Sequence, residues 1–411
     1  MTPDKTLRLL SLSTLYPASV RPGFGRFVAR QMEALAARPD WDVTVINPIG
    51  LPPLPRRLLP SGYAPLHAIP PMEKRSGVPV YHPRFTLLPG LSGRFNPALI
   101  AQSVLPLARR LHEETPFDIV DAQFFYPDGP AAARIARALG LPLAIKARGS
   151  DIHYWGQRPA ALARMQRAAR EAGALLAVSQ ALADDMADLD ITGPGLPAER
   201  ITVHYTGLDH GRFHPIPRAS ARAILAKRFQ LSAEGPLVAC VGALIGIKGQ
   251  ALAIRALAEP GMERVRLALA GTGPDEAMLQ ALSRELGVSH HVHFLGALGH
   301  DFVPVLMAGA SAMVLPSERE GLANVWIEAL ACGTPLVIPD IGGAREVVTS
   351  STAGILAARE PAAIARALAA LIAQPSAPDA VAACAARFSW EANAAAMAGL
   401  YRKVVETTKG T

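Results

Sequence analysis

The sequence predicts an α/β protein made of two facing, Rossmann-like, doubly wound domains with a cleft between them. Three observations carry that prediction. Short runs rich in Leu, Val and Ile are almost continuously apolar, as strands are when both faces of a parallel sheet are covered. They alternate with longer Ala-rich helical stretches, the rhythm that keeps successive strands parallel. The series also occurs twice, on either side of a segment dense in Gly and Pro.

In chain order, the first series is "LRLLSLS", "DVTVINP", "DIVDAQ", "PLAIKARG" and "ALLAVS". The segment "DLDITGPGLPAERITVHYTGLDHGRFHPIPR" then reads as a linker. The second series is "LVACVGAL", "VRLALAG", "VHFLG", "AMVLPS" and "PLVIPD", followed by a last helical stretch, "WEANAAAMAGLYRKVV". These boundaries give a first Rossmann-like domain over residues 1–200, a second over 208–388, and a final helix over 389–411. No repeat of fixed period is present, so the halves share architecture only. Open parallel sheets bind ligands beyond the carboxyl ends of their strands, which places any chemistry on the loops that follow strands.

Of the 411 residues, 50% are hydrophobic and 18% charged, the composition of a folded chain rather than a disordered one. Cys240, Cys332 and Cys384 each sit in apolar stretches and read as buried free thiols in a reducing compartment. The N-terminus has no basic region followed by a long apolar run, so no signal peptide is expected. No apolar stretch is long enough to span a bilayer. A cytoplasmic location, at the inner face of the cell membrane, is the expectation.

The net charge of +7 has one source. Between Leu51 and His112 stand Arg56, Arg57, Lys74, Arg75, Arg84, Arg94, Arg109 and Arg110 against the single acid Glu73. The same segment is rich in Pro and Leu. Residues 52–112 therefore read either as a contact with anionic lipid headgroups or as a solvated loop of a basic protein. Nucleic acid is not an expected partner, because no aromatic stripe or binding motif accompanies the charge.

The densest chemistry lies in "PSEREGLANVWIEALACGTPLVIPDIGGAREVV", from Pro316 to Val348. A strand runs into a loop, and a helix is expected to begin near Gly321, just after Glu320. Eight helical residues advance about 12 Å and turn about 80° beyond two full turns, which places Glu320 and Glu328 broadly on one side. The amides of Gly321, Leu322, Ala323 and Asn324 then point out of the helix N-terminus, where they can hold phosphate oxygens.

This Glu-x7-Glu pattern, with "ALACGTPLV" and "GGAREV", resembles the donor-site signature of the family 4 retaining glycosyltransferases of the GT-B fold. The resemblance runs nearly end to end, through "YPASVRPGFGRFVARQ", "GVPVYHPRF", "YPDG", "RGSD", "AVSQAL", "TGLDHGRFHP", "GIKGQ" and "AGTGP". The "HPRF", "YPDG" and "RGSD" trio is most similar to bacterial cell-surface polysaccharide enzymes. It implies a nucleotide-sugar donor, a UDP- or GDP-sugar, with no other cofactor and no metal. It also implies a lipid-linked or cell-surface glycan as acceptor. By the same resemblance Glu320 contacts hydroxyls of the transferred sugar, Glu328 binds the ribose, and Lys248 neutralises the leaving diphosphate. Gly25 lets the backbone approach the donor phosphates, Gly242 and Arg148 complete the donor-binding set, and Asp151 faces the acceptor. Configuration is retained, with the donor phosphate accepting the acceptor's proton, which suits a site with no evident second carboxylate at nucleophile distance.

Two departures from the family pattern matter. The usual arginine five residues before the lysine is Ala243, and one lost donor of this kind can cost roughly 3 kcal/mol. Arg26 and Arg148 are the candidate replacements. Histidines common in the family are replaced by Gln123 and Arg148, so no general base is assigned. Two alternatives stay open: a nucleotide-sugar epimerase or hydrolase of the same fold, and a non-catalytic donor-binding subunit, the one these departures keep alive. Other motifs read more simply. "AGTGPDE" lacks the third glycine of a dinucleotide loop. The "DLD" from Asp188 to Asp190 reads as a helix end. His290, His291 and His293 read as a loop pair and a strand residue, without further ligands for zinc. His82 and His214 read as loop punctuation before prolines.

Overall fold

The computed structural model describes residues 6–55, 57, 59, 62–90, 92–191, 200–232, 234–299 and 301–409. The chain divides into two compact units, Met1–Gly207 together with Trp390–Thr411, and Leu208–Ser389.

Unit 1 contains β1 (Leu7–Leu12), β2 (Trp41–Ile46), β3 (Ile49–Leu51), β4 (Met72–Arg75), β5 (Val78–Tyr81), β6 (Arg84–Thr86), β7 (Ile119–Ala122), β8 (Leu143–Ala147), β9 (Ala174–Ala177) and β10 (Ile201–Val203). Eight of them form one sheet in the order β10-β9-β8-β7-β1-β2-β5-β4, and β3 pairs with β6 separately. Every pairing is parallel except β4 with β5. The five expected strands are all present, and helices cover both faces.

Two expectations need correction here. The linker reading fails for Ile201–Val203, which docks on the sheet with Ile201 opposite Leu175; residues 192–199 of that segment lie outside the described residues. The basic segment is not one loop: it holds β4, β5, β6 and the helix Asn96–Glu114. In "VPVY" the inward-facing Val78 and Val80 are fully buried, which is what fixes that edge of the sheet.

The helix Trp390–Lys409 belongs to unit 1. Met397, Tyr401, Val404 and Val405 recur at helical spacing and form one apolar face. That face closes the core against Leu9, Met32, Leu35, Trp41 and Val43.

Unit 2 contains β11 (Leu237–Val241), β12 (Arg266–Ala270), β13 (Val292–Gly296), β14 (Ala312–Val314), β15 (Leu336–Ile338) and β16 (Gly354–Leu356). They form one parallel sheet in the order β13-β12-β11-β14-β15-β16. Order reverses at β11, so the loops after β11 and β14 meet at the switch point where open sheets bind ligands. Cys240 and Cys332 are buried, and burial pushes both thiols up to about 12. Cys384 is only partly buried, a correction to the expectation for all three. Among the described residues no helix is long and apolar enough to cross a membrane.

Candidate active site

In unit 2 the loops after β11, β14 and β15 interlock through close backbone approaches. A Cβ on Gly249, at φ 72°, would stand 2.2 Å from the Pro316 carbonyl oxygen, and one on Gly342 would stand 2.0 Å from that of Glu320. Only glycine permits both approaches. The Glu318 amide donates to the Ile247 carbonyl at 2.8 Å and ties the first two loops together. This brings Lys248, in the turn Gly246–Lys248, to Glu320. Its Nζ donates to Glu320 Oε1 at 2.5 Å, with the two side chains 25% and 11% exposed. Gly242 leaves β11 with its amide donating to the Ala270 carbonyl at 2.9 Å.

The helix after this loop starts at Asn324, not near Gly321, and Ala323 caps it in an extended conformation. The cause is a contact with the loop after β15: the Gly321 carbonyl accepts from the Gly343 amide at 2.7 Å, which holds the segment off the helical path. Helical arithmetic from Glu320 to Glu328 therefore does not apply, and Glu328 alone is on the helix, partly buried. The amides of Gly321, Leu322, Ala323 and Asn324 donate to no protein acceptor among the described residues. They remain available as donors, from a bent loop and a first helical residue instead of one helical turn. Ala243 is exposed, and its carbonyl accepts from Gln250 Nε2 at 2.8 Å. Sequence reasoning missed one nearby cation, Arg359, whose Nε donates at 3.2 Å to the same Pro316 carbonyl that Gly249 approaches.

In unit 1, Gly25 has φ 63° and precedes the helix Arg26–Ala36. A Cβ there would stand 1.3 Å from the Leu15 carbonyl oxygen, so its glycine is required by the protein's own chain, whatever else approaches it. Asp151, expected to face the acceptor, is fully buried. Its carboxylate accepts from the amides of Phe125 at 2.7 Å, Arg148 at 3.0 Å, Gly149 at 2.8 Å and Ile152 at 3.1 Å. Burial raises its pKa and the amides oppose that rise. Asp151 is thus a positioning residue for the loop that carries Arg148. Asp128 acts similarly on the loop after β1, accepting from the Thr14 amide and hydroxyl at 2.8 Å each.

Gln123 and Arg148 are bonded to each other. Arg148 Nη2 donates to Gln123 Oε1 at 2.6 Å, and its guanidinium lies 5.0 Å from the Phe27 ring centroid. The two residues that replace the family's histidines are a matched pair within a larger buried network. Gln31 Nε2 donates to Gln123 Oε1 at 2.9 Å, and Gln123 Nε2 donates to Asp121 at 2.5 Å. Tyr401 Oη donates to Asp121 at 2.8 Å. Lys146 Nζ donates to Gln31 Oε1 at 3.2 Å, to the His204 carbonyl at 3.0 Å and to His204 Nδ1 at 2.6 Å. His204 Nε2 lies 2.9 Å from the Asn393 carbonyl, so it carries the proton and leaves Nδ1 to accept. Burial pushes Asp121 up to about 6 and Arg148 down to about 10, and it holds Lys146 well below the usual amine range. Sequence reasoning passed over Lys146 and Asp121, although charges inside "PLAIKARG" and "DIVDAQ" were the available signal. His82 lies in the loop before Pro83 between β5 and β6, as expected, and is buried there with Nε2 3.2 Å from Glu73.

Unit 1 also holds a cavity of about 410 Å³ beyond the ends of β1 and β2, lined by Tyr16, Phe24, Ile49, Tyr63, Leu66 and Phe85 among others. Tyr16 Oη, at its wall, is buried without a partner.

Comparison with known proteins agrees with this architecture. A family model described as "Glycosyl transferase 4-like domain" matches residues 23–207, and one described as "Glycosyl transferases group 1" matches residues 222–387. A putative teichuronic acid biosynthesis glycosyltransferase of Bacillus subtilis is 29% identical over 339 residues, 82% of each chain. A GDP-mannose-dependent alpha-(1-6)-phosphatidylinositol monomannoside mannosyltransferase of Mycolicibacterium smegmatis is 33% identical over 211 residues, 49% of this chain and 53% of that one. Among solved structures, sucrose-phosphate synthase of Thermosynechococcus elongatus superposes with a TM-score of 0.77 at 20% identity, covering 98% of this chain and 100% of the other. HepE of Anabaena, solved with UDP and glucose, superposes with a TM-score of 0.67 at 22% identity over the same shares. At such identities the structures speak for the fold, and the two family models together span most of the sequence: the chain belongs to the family 4 glycosyltransferases and has their GT-B fold.

Proposed function

We propose that the protein is a retaining, metal-independent hexosyltransferase that takes a UDP- or GDP-sugar as donor and a lipid-linked or cell-surface glycan as acceptor. The observation that carries this reading is the Lys248–Glu320 pair beside four unsatisfied amides at Gly321–Asn324. A diphosphate needs a cation and converging N–H donors, and this is where unit 2 concentrates both. Lys248 meets the charge that develops on the leaving phosphate, while Glu320 fixes the lysine and accepts from sugar hydroxyls. Glu328 takes the ribose hydroxyls from the following helix. Preorganised charge of this kind is usually the largest single contribution to transfer. The donor phosphate takes the acceptor's proton on the face from which it departs, so neither a metal nor a covalent sugar intermediate enters.

For the acceptor, support comes from unit 1. Its cavity is largely apolar, with Tyr16 Oη as a polar handle. Leu54, Met72, Leu88 and Phe95 are exposed apolar side chains in the basic segment, with Arg57, Lys74, Arg109 and Arg110 exposed beside them in sequence. Arg56 lies outside the described residues. Apolar groups with basic neighbours suit a peripheral contact with anionic lipid at the inner face of the membrane. The names of the relatives, one in teichuronic acid synthesis and one acting on a phosphatidylinositol mannoside, point to the same acceptor class.

The test is proton NMR of the product made from an α-configured UDP- or GDP-sugar, with lipid-linked glycans as acceptors and a chelator present. An α-linked product made at an undiminished rate is the expected outcome. A β-linked product, or loss of activity to the chelator, refutes the mechanism. Donor consumption that yields only free sugar with every acceptor would favour the hydrolase alternative.

A further inference from the structure

A second charged site lies in unit 2 at the opposite end of its sheet, where the strands begin. Arg266 opens β12, and the cavity beside it reaches Pro236, just before β11, and Ser311, just before β14. This cavity measures about 530 Å³ and is lined by Arg218, Arg222, Pro236, Ser311, Leu371 and Ile372 among others. Volumes of this size hold small molecules.

Among the described residues, the cations around it have no counter-charge. Arg222 is only 6% exposed. Its Nε donates to the Gly309 carbonyl and its Nη2 to the Gly235 carbonyl at 3.2 Å, while Nη1 has no partner. Arg218, partly buried at the start of the helix Arg218–Phe229, has an unpartnered Nε. Arg266 Nη1 donates to the Glu234 carbonyl and would lie 3.5 Å from a Cβ on Gly235. The ion pairs of the described residues include none of these three arginines. Burial, and then repulsion by Arg218 and Arg266, pushes Arg222 down to about 10. Nearby, His291 Nδ1 and His293 Nε2 are also buried without partners.

Buried guanidiniums are normally paired, because an uncompensated charge inside a protein is costly. Here two arginines line one cavity, a third stands next to it, and no carboxylate among the described residues pairs with them. Planar guanidinium forks match phosphate oxygens in pairs. Leu371, Ile372 and Pro236 supply an apolar wall for a carbon body. We propose that this cavity binds a phosphomonoester, with its phosphate between the guanidiniums of Arg218 and Arg222 and its organic part against Leu371 and Ile372. The site stands apart from the Lys248 loop and does not depend on the donor reading.

Titration calorimetry of the full chain with glucose 6-phosphate and with inorganic phosphate tests this assignment, in wild type, Lys248→Ala, Arg218→Gln and Arg222→Lys. Wild type and Lys248→Ala should bind glucose 6-phosphate alike. Arg218→Gln, at a partly exposed position that tolerates the change, should weaken binding on the order of tenfold or more. Arg222→Lys keeps the charge but loses the fork, and should also weaken it. The apolar wall predicts tighter binding of glucose 6-phosphate than of inorganic phosphate, and equal affinities would overturn the phosphomonoester assignment. Absence of binding at millimolar concentration, binding that Arg218→Gln leaves unchanged, or binding abolished by Lys248→Ala alone would overturn the site itself.

Discussion

Replacing Glu320 by Gln separates the two roles assigned to the Lys248–Glu320 pair. The charges meet at 2.5 Å with side chains 25% and 11% exposed. At an effective dielectric near 20 their gross attraction is about 7 kcal/mol. Desolvation of both groups cancels most of it, and a net of about 1–3 kcal/mol is typical of a partly buried charged hydrogen bond. In the ligand-free protein this attraction holds the ammonium against Glu320. A diphosphate must share that ammonium while facing a nearby carboxylate of its own sign. Glutamine keeps a hydrogen-bond acceptor for Lys248 but removes the repulsion. Nucleoside diphosphate affinity should therefore be unchanged or tighter in Glu320→Gln, while kcat falls roughly 10²–10³-fold, as when one preorganised polar contact to a transition state is lost. Lys248→Ala should instead weaken nucleoside diphosphate binding by about 1.5–3 kcal/mol, roughly 10- to 150-fold in Kd. Calorimetric titration with UDP and GDP, beside initial rates, reads both quantities. If Glu320→Gln weakens binding as much as Lys248→Ala does, the division of labour is wrong.

Glu328→Ala should cost about 1–3 kcal/mol of nucleoside diphosphate affinity and erase any preference over the 2′-deoxy nucleotide, which competition titration measures. The buried carboxyl of Asp121 has its folded pKa raised from 3.8 to about 6, so the native state holds a proton that the unfolded chain has released. Its contribution favours the native state below about pH 4 and is lost as pH rises toward about 6, with a magnitude of about 3 kcal/mol at most. Urea melts across that window should show this decline in wild type and a shallower one in Asp121→Asn, because burial also raises Asp128, to about 7, and Asp151; identical slopes would remove Asp121 as a cause. Flotation with anionic liposomes should fall several-fold when Arg57, Lys74, Arg109 and Arg110 are changed together to Glu. Unchanged flotation would exclude this segment as the membrane contact.

The strands that sequence reading finds are mostly those buried on both faces, with the edge strand β13 the exception. "LVACVGAL" and "ALLAVS" are apolar because nothing else fits between two helical layers, and their signal survives without tertiary context. The strands it misses, β3, β4, β5, β6, β10 and β16, have three or four residues, and all but β5 pair with a single neighbour. Site residues follow the same logic. Lys248 and Glu320 are each visible as motif members, yet their contact spans 72 positions and depends on β11 lying beside β14. The helical relation of Glu320 to Glu328 fails because a carbonyl–amide bond from Gly321 to Gly343 overrides local propensity. Asp151 looks catalytic in a motif, and only three dimensions show its oxygens occupied by backbone amides. The pairing of Gln123 with Arg148 turns two separate departures from a family pattern into one feature.

The central claim is that the loops carrying Lys248 and Glu320 hold a nucleoside diphosphate. A thermal-shift series of wild type and Lys248→Ala against UDP, GDP, ADP and their sugar conjugates tests it most directly. Ligand at a hundredfold excess over Kd stabilises the protein that binds it by about 2.7 kcal/mol, well within the resolution of a melt. One base should raise the midpoint of wild type clearly and that of Lys248→Ala much less at the same concentration. No shift with any nucleotide, or an equal shift in both proteins, would contradict the account.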